Sequence, residues 1–375
     1  MLKKFFVLLI IVAIYAPLTA QNEDYARKIL KTLCSPEFHG RGYAFGGDSL
    51  AADYLCGEFK MLGIKPIMQP FAITANVFYR DAFIIAGKDT LKAGRDFVVN
   101  PSNQSVNCDI KLSKVFRKCD SAQVVDFTLF AVDKLPPQGI ADHQNKSAKF
   151  YVSKALIHNK KRASIHLDAQ LKHGYITHNI IGVIPGETDT FKVITAHYDH
   201  VGTLGRDAYF PGAHDNASGT AMVLDLAREF ANMPKQHYSI AFILFSGEEL
   251  GLFGSYYYTR NPIFPLSKIK TLINLDMLGS GDEGIMVVNG KVLEDEFDFL
   301  VNANKTNNYV PNIQSRGEAA NSDHYFFYKK GVKSLYIYTL GTYKEYHNIY
   351  DRAEIIPMPA YNGIFNLVKD FVTDF

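Results

Sequence analysis

The chain has 375 residues, a length that calls for one large domain or a domain carrying an insertion. Hydrophobic residues make up 47% and aromatics 13%, enough for a sizeable core, which excludes wholesale disorder. The formal charge is only +2, with acids and bases mixed throughout, so no basic stripe exists to bind nucleic acid.

At the start, Lys3 and Lys4 precede an apolar run from Phe5 to Tyr15, followed by Pro17-Leu18-Thr19-Ala20. A basic start, a short apolar middle and a small final residue read as a signal peptide over 1–20, cut after Ala20. The run is too short to span a bilayer comfortably, and no cysteine follows the cut to carry a lipid. No later stretch is long and apolar enough for a membrane helix. The expectation is an exported protein, periplasmic or secreted, with no membrane attachment after cleavage.

Residues 22 to about 65 carry apolar side chains at helical spacing: Tyr25, Ile29 and Leu33, then Leu50, Tyr54, Phe59 and Leu62. Ser49 is the expected N-cap of the second helix, and Gly40, Gly42, Gly46 and Gly47 mark a loop between the two. From about 75 to 172, short apolar pieces alternate with turns, which predicts a β-rich inserted domain. All four cysteines, Cys34, Cys56, Cys108 and Cys119, fall in the first third. They allow three pairings, of which Cys108 with Cys119 is the easiest local bridge; free buried thiols remain the alternative. The Asn-x-Ser/Thr matches at Asn103, Asn145, Asn216 and Asn304 are read as chance.

From His178 onward, strand and helix patterns alternate up to a last helix over 360–372. That alternation predicts an α/β fold: a mixed, mostly parallel central sheet with helices on both faces. The catalytic domain would comprise 21–74 and 173–375, with 75–172 inserted in it.

Four strand candidates deliver the chemistry. Phe191 to Ala196 leads into His197-Tyr198-Asp199-His200, and the apolar run Tyr238 to Phe245 leads into Ser246-Gly247-Glu248-Glu249. Leu272 to Leu275 ends at Asp276, and Ser334 to Tyr338 leads through Gly341 to His347. In open α/β sheets, sites form outside the carboxyl ends of strands, where these residues fall. Asp215 stands just before a helical pattern through Met222, Leu226 and Phe230. Neighbouring residues at a strand end point in different directions, so Glu248 and Glu249 cannot share one job.

His197, Asp215, Glu249, Asp276 and His347 form a set of imidazoles and carboxylates suited to zinc, with manganese or cobalt as alternatives. Two metals need one bridging carboxylate, and Asp215 is the natural bridge. A water shared by the pair would be activated to hydroxide near neutral pH. Glu248 would then take its proton and pass it to a leaving amine. Asp199, two residues after His197, would accept a hydrogen bond from that imidazole and fix its tautomer. Hydrolysis of an amide is what this arrangement serves best.

Ala196-His197-Tyr198-Asp199-His200, Gly212 to Gly219, Ser246 to Gly251, Asn274 to Met277 and Tyr346-His347-Asn348 together resemble the co-catalytic zinc aminopeptidases, exported α/β metallopeptidases of the zinc exopeptidase, phosphorylase/hydrolase-like fold. Ser322-Asp323-His324-Tyr325 and the early Leu33 to Arg41 are further matches; 75–172 is only weakly matched. The resemblance implies two Zn²⁺ per chain. His197 and Asp276 would hold one ion, Glu249 and His347 the other, with Asp215 bridging. It also implies Glu248 as general acid/base, Asp199 as the orienting acid, and peptides with a free N-terminus as substrates. His214 stands where relatives often carry an acid, and it is left out of the ligand set.

The nearest rival is a glutaminyl cyclase, a single-zinc transferase of similar fold and ligand types. The Asn216 to Gly219 and Gly247 to Gly251 contexts favour the peptidase. A carboxypeptidase and a catalytically dead binding module are further alternatives, the latter opposed by an intact Glu248. His143, His158, His166, His173, His178 and His237 are read as structural, and Tyr256-Tyr257-Tyr258 as helix packing.

Overall fold

A computed structural model describes residues 19–112 and 126–375. The apolar run read as a signal peptide and Cys119 lie outside the described residues. Among the described residues, no helix is long and apolar enough to cross a membrane.

The centre of the molecule is an eight-stranded mixed sheet. In spatial order it runs Ile67–Val77, Gln170–Ile184, Ser239–Phe245, Phe191–His197, Ile269–Leu275, Ser334–Leu340, Gly284–Val288 and Ile313–Arg316. The four middle strands, Ser239–Phe245 through Ser334–Leu340, are mutually parallel. Antiparallel pairing appears where Gln170–Ile184 joins Ser239–Phe245 and Ile67–Val77, and where Gly284–Val288 joins Ser334–Leu340.

Continuous apolar runs form the middle strands because both of their faces are covered. Along Ser239–Phe245 every residue is buried, and successive side chains enter different cores. Ile240, Phe242 and Leu244 pack with the helices Thr19–Leu33, Gly47–Met61, Ser218–Asn232 and Tyr361–Asp374. Ala241, Ile243 and Phe245 pack with Tyr258 and Phe327, from the helices Phe253–Arg260 and His324–Lys329 on the other face. The period of two along a strand thus sorts one sequence run between two layers of helices.

The second helix starts at Gly47 after Gly46, whose φ of 71° is left-handed, so Ser49 sits inside the first turn instead of capping it. The Ser49 hydroxyl lies 3.3 Å from the Tyr175 hydroxyl. Residues between the two long antiparallel strands form two smaller sheets, one of four strands and one of three. Their core is continuous with Val201, Leu204 and Phe210 of the segment that follows His197. The flanking strands pair in the main sheet from Ile67 with Ile181 to Val77 with Gln170, past positions 75 and 172, with a register shift between Ile73 and Ala75. Cys108 is disulfide-bonded, whereas Cys34 and Cys56 are free and buried.

Candidate active site

Parallel strands end on one side of a sheet, and this brings the site together. His197 closes its strand, Asp276 directly follows Ile269–Leu275, and Glu248 and Glu249 follow Ser239–Phe245. The register pairs Thr195 with Asn274, so two residues later His197 stands beside Asp276. Asp215 arrives on a tight turn, Ala213–Ala217, ahead of the helix Ser218–Asn232, and its peptide bond to Asn216 is cis. Asn216 ties this turn to the Asp276 strand: its amide donates to the Leu275 carbonyl (3.0 Å), and its Oδ1 accepts from the Gly219 and Met277 N–H groups. Any Cβ at Gly219 would collide with the Leu275 carbonyl and Asn216, so only glycine allows this approach. Met277 (φ 61°) and His347 (φ 49°) adopt left-handed backbone, a cost that surrounding structure must over-determine.

All five expected ligands converge; His197, Asp215, Asp276 and His347 are buried and Glu249 is half-buried. His197 Nε2 lies 3.2 Å from Asp215 Oδ1 and 3.3 Å from Asp276 Oδ1. His347 Nε2 lies 3.0 Å from Asp215 Oδ2 and 3.1 Å from Glu249 Oε2. The Asp215 carboxylate therefore turns one oxygen to each histidine. Two distinct groups of potential ligand atoms result: His197, Asp215 and Asp276, and His200, Asp215, Glu249 and His347.

The donor set fits a metal. His197 Nδ1 is 3.2 Å from the Asp199 carbonyl and His347 Nδ1 is 2.9 Å from the Gln138 carbonyl. Carbonyls only accept, so each Nδ1 carries a proton. Burial would lower both imidazoles, but each Nε2 faces two carboxylate oxygens at 3.0–3.3 Å, which hold both well above the usual histidine range. Gathered in this way, the same nitrogens and oxygens could hold a cation, which would take the place of the proton on each Nε2. Nitrogen and oxygen ligands about 2.0–2.2 Å from one tetrahedral ion stand about 3.3–3.5 Å apart, close to the separations here.

Asp199 differs from its expected part. Its carboxylate Oδ1 is 3.7 Å from His197 Nδ1, beyond hydrogen-bond reach, and its backbone carbonyl accepts from the ring instead. The carboxylate accepts the Tyr43 hydroxyl at 2.7 Å and the Glu248 N–H at 3.2 Å. It thereby orients the turn bearing Glu248.

Glu248 belongs to neither ligand group; its Oε2 is 4.0 Å from His197 Nε2. Burial holds its carboxyl well above the usual range, reinforced by Asp276, Glu249 and Asp323 and opposed by His197. With Asp215 and Asp276 it borders a 520 Å³ cavity, also lined by Met277, Tyr336 and Tyr346. His214 lines the same cavity, joins neither ligand group, and is pushed down to about 4 by burial. Its Nδ1 accepts the Gly279 N–H at 2.9 Å. Of the three consecutive tyrosines, Tyr258 is buried and Tyr257 stacks on Phe71, whereas Tyr256 is exposed. His166, read as structural, gathers with Asp81 and Asp168 at the surface, where Arg206 lies 3.8 Å from Asp81.

Several supporting residues were not singled out by their sequence context. Asp351 accepts the His214 and Asp215 N–H groups and so anchors the turn of the bridging carboxylate. Gln138 acts through its backbone, which no side-chain pattern encodes. Arg41 lay inside a family-like stretch without a stated role. It is fully buried and donates to the carbonyls of Leu33, Tyr198, Pro211 and Gly212 at 2.6–3.0 Å. One guanidinium thus holds together the loops after His197 and before Asp215. Arg41→Met would strand these acceptors, at about 1–3 kcal/mol for each buried group left unmatched. We expect a loss of at least about 3 kcal/mol in urea unfolding; a change below about 1 kcal/mol would refute the clamp.

A family model described as peptidase family M28 matches residues 179–372. Aminopeptidase YwaD of Bacillus subtilis (strain 168) is 30% identical over 181 residues, 47% of this chain and 38% of that protein. Leucine aminopeptidase 1 of Arthroderma otae is 30% identical over 187 residues, 45% of this chain and 49% of that protein. The chain thus spans half or less of the curated relatives it matches. Among solved structures, the zinc aminopeptidase BSAP from Bacillus subtilis superposes with a TM-score of 0.70 at 18% identity, covering 94% of this chain and 95% of that one. A glutaminyl cyclase from Porphyromonas gingivalis superposes with a TM-score of 0.55 at 16% identity, covering 93% and 96%. At such identities the likeness concerns the fold.

Proposed function

The chain belongs to peptidase family M28, and we propose that it works as a zinc-dependent aminopeptidase that removes N-terminal residues from peptides. The observation that carries this reading is the divided Asp215 carboxylate, with Oδ1 toward His197 and Oδ2 toward His347. A carboxylate used at both oxygens supports two ions per chain. His197 and Asp276 would hold one, and Glu249 and His347 the other. Bound there, the pair would supply Lewis-acid activation of water and of the scissile carbonyl.

The chain's own residues do the rest. Glu248, beside the ligands and on the cavity wall, accepts the proton of the attacking water at a carboxylate oxygen. It then delivers that proton to the nitrogen of the departing amine, so the carboxylate is restored at each turnover. Asp199 holds the Glu248 backbone through the 3.2 Å bond to its N–H. Ser322 donates to Asp276 Oδ2 at 2.8 Å and is itself held by Asn274, leaving Oδ1 toward His197. The adjoining 520 Å³ cavity would receive the N-terminal side chain of the substrate.

Removal of metal by a strong chelator is expected to abolish hydrolysis of peptides with a free amine, and added zinc or cobalt to restore it. Peptides blocked at the N-terminus should stay intact. Cleavage of blocked peptides from the other end would replace this reading with a carboxypeptidase. Cyclisation of an N-terminal glutamine peptide, with one ion per chain, would replace it with a glutaminyl cyclase.

A further inference from the structure

His200 has no part in the reading above, yet it touches a proposed ligand directly. It is fully buried, and its Nδ1 lies 2.6 Å from Glu249 Oε1. The opposite oxygen, Oε2, is the one facing His347. A carboxylate only accepts, so His200 is the donor through Nδ1, and its neutral ring leaves Nε2 as a lone pair. That nitrogen is buried without a hydrogen-bond partner among the described residues. A buried polar atom left unmatched in this way calls for a functional reason. The ring has little freedom to swing away: it stands edge-on to the His347 ring at 5.2 Å, and a Cβ at Gly212 would run into its Cδ2.

Asp276 offers a parallel at the other ion. There Ser322 fills one carboxylate oxygen and the free oxygen turns to His197. Glu249 is divided in the same way, with a histidine in place of the serine. We propose that His200 is a positioning residue: it occupies Oε1 of Glu249, so that this carboxylate offers a single oxygen, Oε2, to the ion it shares with His347 and Asp215. This rests on the two-ion reading above. Its physical basis is that an unrestrained carboxylate can chelate through both oxygens or rotate away. A hydrogen bond to one oxygen removes that freedom and keeps a coordination position for water or substrate.

The test is an equilibrium zinc titration against a competing chelator, with no assay of turnover. His200→Leu removes the donor, and one of the two ions should bind about 10–100-fold more weakly while the other is unchanged. His200→Asn, whose amide nitrogen superposes on Nδ1, should restore most of that affinity. His200→Gln superposes on Nε2 instead and should not restore it, so the comparison holds even where the leucine protein fails to fold. Equal loss in the Asn and Leu or Gln variants would mean that His200 ligates the ion itself, overturning the proposal. Parent-like binding of both ions by the Leu or Gln variant would overturn it as well. A parent protein that takes up only one ion would instead defeat the two-ion reading.

Discussion

Glu248→Gln protein is expected to bind its full complement of metal and to hydrolyse peptides at no more than about a hundredth of the parent rate. Glutamine matches glutamate in size, so the turn Ser246 to Glu249 and the hydrogen bond from the residue 248 N–H to Asp199 should survive. What it lacks is an oxygen able to take a proton from water and give it to an amine. Proton transfer by a placed side chain contributes about 10²–10⁴-fold, so a hundredfold loss, or about 2.7 kcal/mol in the barrier, is the modest end of the range. Metal retention distinguishes this outcome from collateral damage, because Glu248 stands outside both ligand groups. Its burial among Asp276, Glu249 and Asp323, which raises its affinity for a proton, suits a group that must pick one up and release it. A variant that retains more than a tenth of parent turnover would remove Glu248 from the chemistry, and one that loses metal would make it a ligand.

Asp215→Ala should cost at least one metal ion per chain, and activity with it. The two Asp215 oxygens face the Nε2 atoms of different histidines, 3.2 and 3.0 Å away. Without them, His197 and Asp276 make one incomplete pair, and His347 and Glu249 another. A zinc site with two protein ligands falls short of the three found in catalytic sites. The backbone around position 215 should keep its place, since Asp351 holds it through N–H groups that alanine retains. Asp215→Asn keeps one oxygen and removes the charge, so its metal content should lie between parent and alanine variant. Metal analysis that finds two ions in the alanine protein would contradict the bridge.

Much of this site was legible in the residue order. His197, Glu249 and Asp276 sit at or just beyond the ends of buried apolar strands, and a parallel arrangement must bring those ends together. The same logic separated Glu248 from Glu249, since adjacent residues at a strand end diverge. Orientation beyond that was not legible. The expected hydrogen bond from His197 to the Asp199 carboxylate goes to the Asp199 carbonyl instead, because Tyr43, 156 residues earlier, claims the carboxylate. His347 depends on the carbonyl of Gln138, 209 residues away in the chain.

What the amino-acid order determined by itself was the set of candidate metal-binding side chains and the side of the sheet they would share, since side-chain chemistry and strand periodicity are local properties. Only tertiary structure decided which oxygen of Asp215, Glu249 and Asp276 faces which imidazole, and which buried groups hold them there. Every residue carries a carbonyl, so the choice of Gln138 or of the four acceptors of Arg41 has no signature in sequence; it follows from which distant segments the packing brings within 3 Å.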